Sequence, residues 1–305
     1  MSLTRRNMMV RTAGASAGLM LAGIGPRRAV AQAVGSVSMA GDIHLLQSGG
    51  VNVLAIGGAD GITLLDGGPT EQADALLAEV ARLFPGHQVR TLFNTHWHPE
   101  QTGCNERLGA QGARIIAHEN TRLWLTTDIE RPWEQQRFAP MAKAGQPNQT
   151  FYDAGEFSAG ATAVQYGYLL QAHTDGDAYA FLPEENILFT GGAVTSDRWP
   201  LVDWWTGGWI GGLAAGQKQL LEIANEQTRI VPSSGPVITR AELAAQQEMY
   251  AALFGQLRQM MFKGRAPADA VAAAPTRDMK PEWGDATAFV SRAFESLWGQ
   301  LSPDA

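Results

Sequence analysis

Asn94-Thr95-His96-Trp97-His98-Pro99-Glu100-Gln101-Thr102-Gly103 follows directly on Val89 to Asn94, a run with the make-up of a β-strand. Two histidines two residues apart, just past a strand end, can aim both imidazoles at one point. Neutral imidazole is a good zinc ligand, and three protein ligands with an open fourth position make a catalytic zinc site. The sequence has six histidines, at 44, 87, 96, 98, 118 and 173. His173 also follows an expected strand, in Gln171-Ala172-His173-Thr174-Asp175-Gly176-Asp177. The single cysteine, Cys104, excludes an intramolecular disulfide and any all-cysteine metal site.

Upstream of the histidine pair, Asp42 to Gln47, Val51 to Ile56 and Ile62 to Leu65 read as an antiparallel meander separated by glycine-rich turns. After Asp66-Gly67-Gly68-Pro69, the apolar residues Ala73, Leu76, Leu77, Val80 and Phe84 recur at helical spacing, with Thr70 as the expected cap. Downstream, the pattern predicts a helix from Glu100 to Leu108, a strand from Arg114 to Ala117 and a helix from Glu119 to Thr127. Residues 129–150 lose periodicity and hold three prolines, which reads as a surface excursion or a flap over a pocket. Strands are expected at Thr162 to Leu170, Ala178 to Leu182, Ile187 to Thr190 and Arg229 to Val231, with a helix from about Ile210 to Asn225 before the last. Thr239-x-x-Glu242 is a capping box opening a long helix that Gly264 is placed to stop, and residues 239–305 read as C-terminal helices.

These segments, in this order, resemble the metallo-β-lactamase superfamily. The likeness rests on Leu64-Leu65-Asp66-Gly67-Gly68, on the histidine pair, on His173-Thr174-Asp175-Gly176, on Phe189-Thr190-Gly191-Gly192 and on Pro232-Ser233-Ser234-Gly235-Pro236. It implies a four-layer αββα sandwich, with residues 32–305 as one domain, and a zinc held by His96, His98 and His173. The same likeness shows departures at the family's second metal position. Glu100 stands for an aspartate and Gln101 for a histidine; Gly192 stands for the bridging aspartate and Ser234 for the last histidine. Two neighbouring cations repel, and a carboxylate between them normally offsets that. Without it the second site is degraded, and a mononuclear zinc is expected. The resemblance then implies a hydrolase that attacks an ester, lactone or amide of a small-molecule substrate with zinc-activated water, Glu100 orienting that water or serving as general base. A non-catalytic relative that binds a metal or ligand is the alternative, fed by Gly192 and Ser234; a true β-lactamase is less favoured. Asp66, Gln101 and Asp177 are read as neighbours that orient the ligands. Asp175 and Asp177 could also partly replace the lost carboxylates. Trp199, Trp204 and Trp205 are expected to wall the substrate pocket.

Composition supports a folded, acidic body. Of 305 residues, 45% are hydrophobic and 17% charged, which excludes global disorder. Residues 1–31 carry five arginines and no acid, so without them Lys+Arg falls from 23 to 18 against 30 Asp+Glu, a net of −12. Such a balance argues against nucleic acid or an anionic membrane as partner. Arg5-Arg6 before a short Ala- and Gly-rich apolar stretch, followed by Ala29-Val30-Ala31, reads as a twin-arginine signal peptide over 1–31 and implies a periplasmic protein with no membrane span once it is removed. The sequence leaves the substrate and the oligomeric state open.

Overall fold

The computed structural model describes residues 34–131 and 133–301; the expected signal peptide lies outside them. The first strands are β1 (Gly35–Ala40), β2 (Ile43–Ser48), β3 (Val51–Gly58), β4 (Gly61–Leu65), β5 (Val89–Asn94) and β6 (Arg114–His118). A small hairpin, β7 (Ile129–Arg131) with β8 (Gln136–Phe138), precedes β9 (Gln149–Phe151). Then follow β10 (Ala154–Ala159), β11 (Thr162–Tyr168), β12 (Ala178–Leu182), β13 (Ile187–Phe189) and β14 (Arg229–Val231). They form one seven-stranded sheet in the order β1-β2-β3-β4-β5-β6-β9 and one five-stranded sheet in the order β10-β11-β12-β13-β14. The helices are α1 (Ala73–Leu83), α2 (Pro99–Thr102), α3 (Asn105–Ala110), α4 (Glu119–Leu125), α5 (Ile210–Ile223), α6 (Arg240–Phe262), α7 (Pro267–Ala273) and α8 (Thr287–Leu301).

Side chains alternate across a strand, so a sheet covered on both faces needs apolar residues at every position. Strand β3 meets that demand from Val53 to Ile56. Leu54 and Ile56 join Phe93, Val164, Tyr166 and Phe189 in a core between the two sheets, while Val53 and Ala55 join Leu76 and Val80 under α1. The far face of the second sheet is covered by α5 and α6, where Leu188 and Ile230 meet Leu220 and Leu243. The result is the expected αββα sandwich. A further helical core adds α7 and α8, with Tyr250, Leu253, Phe289 and Phe294 packed together.

Several local expectations need correcting. Helix 100–108 is divided into α2 and α3 at Gly103 and Cys104; Gly103 packs so closely on the chain at Thr70 that a Cβ would come within 2.2 Å of its nitrogen. Thr70 does not cap α1; it opens a 3₁₀ turn, Thr70–Gln72, and Gln72 takes the cap position. Strands β1 and β10 add to the expected set. Each lies at the edge of its sheet and is largely exposed or half-buried, so neither carries the apolar pattern of a covered strand. The capping box of Thr239 and Glu242 is present, and Gly264, at φ +69°, follows the end of α6.

The site lies where several strand ends meet. The chain leaves β4 at Asp66, β5 at Thr95, β13 at Thr190 and β14 at Pro232, and enters β12 after His173. The two sheets are tied at this edge by the Ala178 N–H, which donates to the Thr95 carbonyl at 2.8 Å. Asn52 reaches across to donate to the carbonyls of Pro232 and Gly235, both at 2.9 Å.

Candidate metal centre

His96, His98 and His173 come from two separate strand ends and converge. One ring nitrogen from each lies within 4.8 Å of the others, and all three side chains are buried. The ring centroids are 4.6–4.7 Å apart and the planes meet at 79–85°. Near-perpendicular rings present nitrogens to a shared point rather than stacking face to face.

Each ring has its other nitrogen engaged. Thr95 Oγ1 donates to Asp66 Oδ2 at 2.8 Å, so its oxygen is left to accept from His96 Nδ1 at 2.9 Å. His98 Nε2 donates to Asp203 Oδ2 at 2.9 Å. His173 Nδ1 faces Asp177 Oδ1 at 3.4 Å, and the backbone N–H of His173 donates to the other oxygen of the same carboxylate. The free nitrogens are therefore Nε2 of His96, Nδ1 of His98 and Nε2 of His173. An acceptor on the outer nitrogen fixes which inner nitrogen carries the lone pair.

Burial sets the protonation states. It holds His96 and His98 well below the usual imidazole range, and the charges of the neighbouring histidines add to this. Both rings are thus neutral, the form that binds a metal. Burial also pushes the Asp66 carboxyl up to about 8, against the two hydrogen bonds it accepts from Thr95. For Asp177 burial acts upward, but hydrogen bonds from His173 and Thr174 prevail and hold it low. Asp203 is raised by burial, partly offset by Thr206.

The three rings open into a cavity of about 140 Å³ that is also lined by Glu100, Gln101, Gly192, Trp199 and Ser234. Glu100 lies at its edge with half its side chain exposed, 3.8 Å from Arg131 Nη1. Gly192 packs on His173 so closely that a Cβ would fall 2.4 Å from Nδ1. Ser234 donates its hydroxyl to Asp197 Oδ1 at 2.7 Å. Gln101 is buried, and its carbonyl accepts from the Gly67 N–H at 2.6 Å.

Other expected site residues lie elsewhere. Asp177 sits behind His173, and Asp175 accepts from Trp124 Nε1 at 2.6 Å; neither lines the cavity. Trp204 and Trp205 are also outside it, contrary to expectation. Trp204 turns toward α8, donating to Glu295 Oε2 at 3.0 Å, and Trp205 stands 44% exposed beside it. The flap expected over the pocket is instead the β7–β8 hairpin. It packs against Trp97 and borders a separate cleft of about 310 Å³. Among the described residues of 129–150, none lines the histidine cavity.

Three residues of this neighbourhood escape the sequence reading. Asp203 anchors His98 from 105 positions away; its one clue is that it is the sole acid in the aromatic stretch Trp199 to Trp209. Thr95 links Asp66 to His96. Arg131 is only 3% exposed, pairs with Glu134 at 3.1 Å and lies over the Trp97 and Phe138 rings at 5.2 and 4.9 Å. No local pattern announces a buried cation of that kind.

An αββα sandwich with a buried three-histidine cluster at its strand ends defines a hydrolase-type metallo-fold. The sequence model of the metallo-β-lactamase superfamily matches residues 47–233, and the chain belongs to that superfamily. Among curated proteins, a hydroxyacylglutathione hydrolase of Erythrobacter litoralis (strain HTCC2594) is 29% identical over 110 residues; the match spans 36% of this chain and 36% of that protein. Among solved structures, a metallo-β-lactamase from Pontibacter korlensis superposes with a TM-score of 0.58 at 19% identity, covering 72% of this chain and 99% of its own. A stereoselective inverting sec-alkylsulfatase from Pseudomonas sp. gives a TM-score of 0.67 at 15% identity, covering 88% of this chain and 51% of its own. At such identities these structures share the fold.

Proposed function

We propose that the protein is a mononuclear zinc hydrolase in which His96, His98 and His173 hold the metal and the substrate is a small molecule with an ester, lactone or amide bond. The observation that carries this reading is the orientation of the rings, each with its outer nitrogen engaged and its inner nitrogen directed at a common point. Two of the rings are kept neutral by burial, which suits a divalent cation of zinc's preference for imidazole. Bound there, zinc supplies Lewis acidity toward a carbonyl oxygen and acidifies a water molecule.

The chain's own residues do the rest. Asp203 holds His98, Asp177 holds His173, and Asp66 holds His96 through Thr95, so the rings need little reorganisation to bind. Glu100, on the cavity edge, accepts a proton from the attacking water through its carboxylate. Gln101 offers an amide to the substrate or the water. Gly192 and Ser234 leave the far side without ligands for a second ion, which supports one metal and not two. Trp199 forms the apolar wall. The likeness to a hydroxyacylglutathione hydrolase, though limited to about a third of each chain, adds support for hydrolysis.

The test is turnover of a panel of esters, lactones and amides by zinc-loaded and metal-stripped protein. Zinc-dependent hydrolysis that falls in Glu100→Gln supports the proposal. Stable zinc binding with no turnover of any of them supports the non-catalytic alternative. The export reading of residues 1–31 belongs to the same proposal: Arg5→Lys with Arg6→Lys is expected to retain the precursor in the cytoplasm, and periplasmic mature-sized protein from that variant would refute it.

A further inference from the structure

Trp199 lines two cavities at once. One is the histidine cavity, about 140 Å³; the other, about 220 Å³, lies in the C-terminal helical block and is lined by Val271, Ala274, Met279, Ala286 and Val290 among others. The indole is held in place from the C-terminal side. Its Nε1 donates to the Gly284 carbonyl at 3.2 Å, its ring stacks on Phe289 at 4.9 Å and 18°, and the Trp283 ring meets it edge-on at 5.3 Å. A reciprocal bond fixes the loop itself: Trp283 Nε1 donates to the Ser196 carbonyl at 3.1 Å. Two indoles thus latch the loop beside the histidines to the turn before α8. Sites for drug-sized ligands run about 300–1,000 Å³, and neither cavity alone reaches that range.

We infer that Trp199 is a specificity-determining residue: its ring is the partition between the two cavities and restricts the histidine cavity to substrates with a short acyl group. This rests on the hydrolase reading for its consequence in turnover, but the partition itself is a matter of space. Without the indole, the C-terminal cavity becomes accessible from the histidines, and an extended alkyl chain can lie along its aliphatic wall of Val271, Ala274, Met279 and Val290, with Arg277 and Asp285 in the remaining, polar part of the lining. The latch places this selectivity under the control of residues 281–290, outside the segment 47–233 that the superfamily shares.

The experiment compares para-nitrophenyl decanoate with para-nitrophenyl acetate on the zinc-loaded protein. Each methylene admitted to an apolar pocket is worth roughly tenfold or more in kcat/KM. Trp199→Ala is therefore expected to raise the decanoate-to-acetate ratio at least about tenfold. Trp199→Phe, which keeps a ring against Phe289, retains the wild-type ratio. Adding Ala286→Trp to Trp199→Ala refills the C-terminal cavity and returns the ratio toward wild type. If Trp199→Ala does not fold, Trp199→Leu carries the same comparison. An unchanged ratio in a folded, zinc-loaded variant overturns the inference. If the wild type hydrolyses neither ester, the hydrolase reading loses support, and calorimetric binding of decanoate decides the partition separately. Binding at least about tenfold tighter to the Ala variant supports it; equal affinity overturns it.

Discussion

On one side of the cavity, His96, His98 and His173 each have an outer nitrogen facing Thr95, Asp203 or Asp177. Elsewhere in the same lining, Gly192 has no side chain and Ser234 donates its hydroxyl hydrogen bond to Asp197. The first side is braced for a ligand before any arrives. The second has no room for a side chain at position 192: a Cβ there would fall 2.4 Å from His173 Nδ1. The contrast teaches that position 192 serves packing against His173, so a carboxylate placed there would displace that ring before it could reach a metal.

The largest effect is expected on the braced side. His173→Ala removes one of the three proposed ligands, and zinc binding and all hydrolysis should disappear together; retained zinc would show that the ligand set is wrong. Glu100→Gln comes next. It keeps the size of the side chain and removes the proposed proton acceptor, so hydrolysis should fall by roughly 10²–10⁴ with zinc affinity nearly unchanged. Loss of zinc along with activity would make Glu100 a ligand, and full activity would reduce it to an acid at a helix start.

Asp203→Asn should lower zinc affinity or activity by roughly 10–100-fold, the range for losing a carboxylate that orients a histidine ligand. Gly192→Asp addresses the closed side. Zinc affinity should fall over the same rough range as His173 is pushed aside, with no gain of a second ion. A variant that holds two metals would break the comparison.

The smallest effect concerns Cys104, buried beneath Gly67 on the braced side, where burial pushes the thiol up to about 12. The thiolate is the reactive form. Raising the pH through 9, the ordinary value for this group, should therefore leave Cys104 unmodified by iodoacetamide while the protein stays folded. Labelling at that pH without unfolding would show a more open site.

The sandwich and the histidine trio are legible in sequence for a shared physical reason. Covered strands such as β3 need apolar residues on both faces, and histidines that converge at strand ends sit in short fixed spacings such as His96-Trp97-His98. The edge strands β1 and β10 are not legible, because half-buried polar segments such as Gly35–Ala40 look like loops. The same holds for residues whose partners are distant in the chain. Asp203 and Arg131 become meaningful only when the fold brings His98 and Trp97 to them. The tryptophan-rich stretch shows the limit in the other direction: Trp199 reaches the cavity, whereas Trp204 is drawn to Glu295 on α8.

One metal on three histidines is tested most directly by the metal content of the protein. Protein purified, loaded with excess zinc and dialysed should retain about one zinc per chain by elemental analysis, with three imidazole nitrogens in its coordination sphere by X-ray absorption. Two tightly retained zinc ions per chain would contradict it, and would mean that Glu100 or another carboxylate completes a second site across from His173.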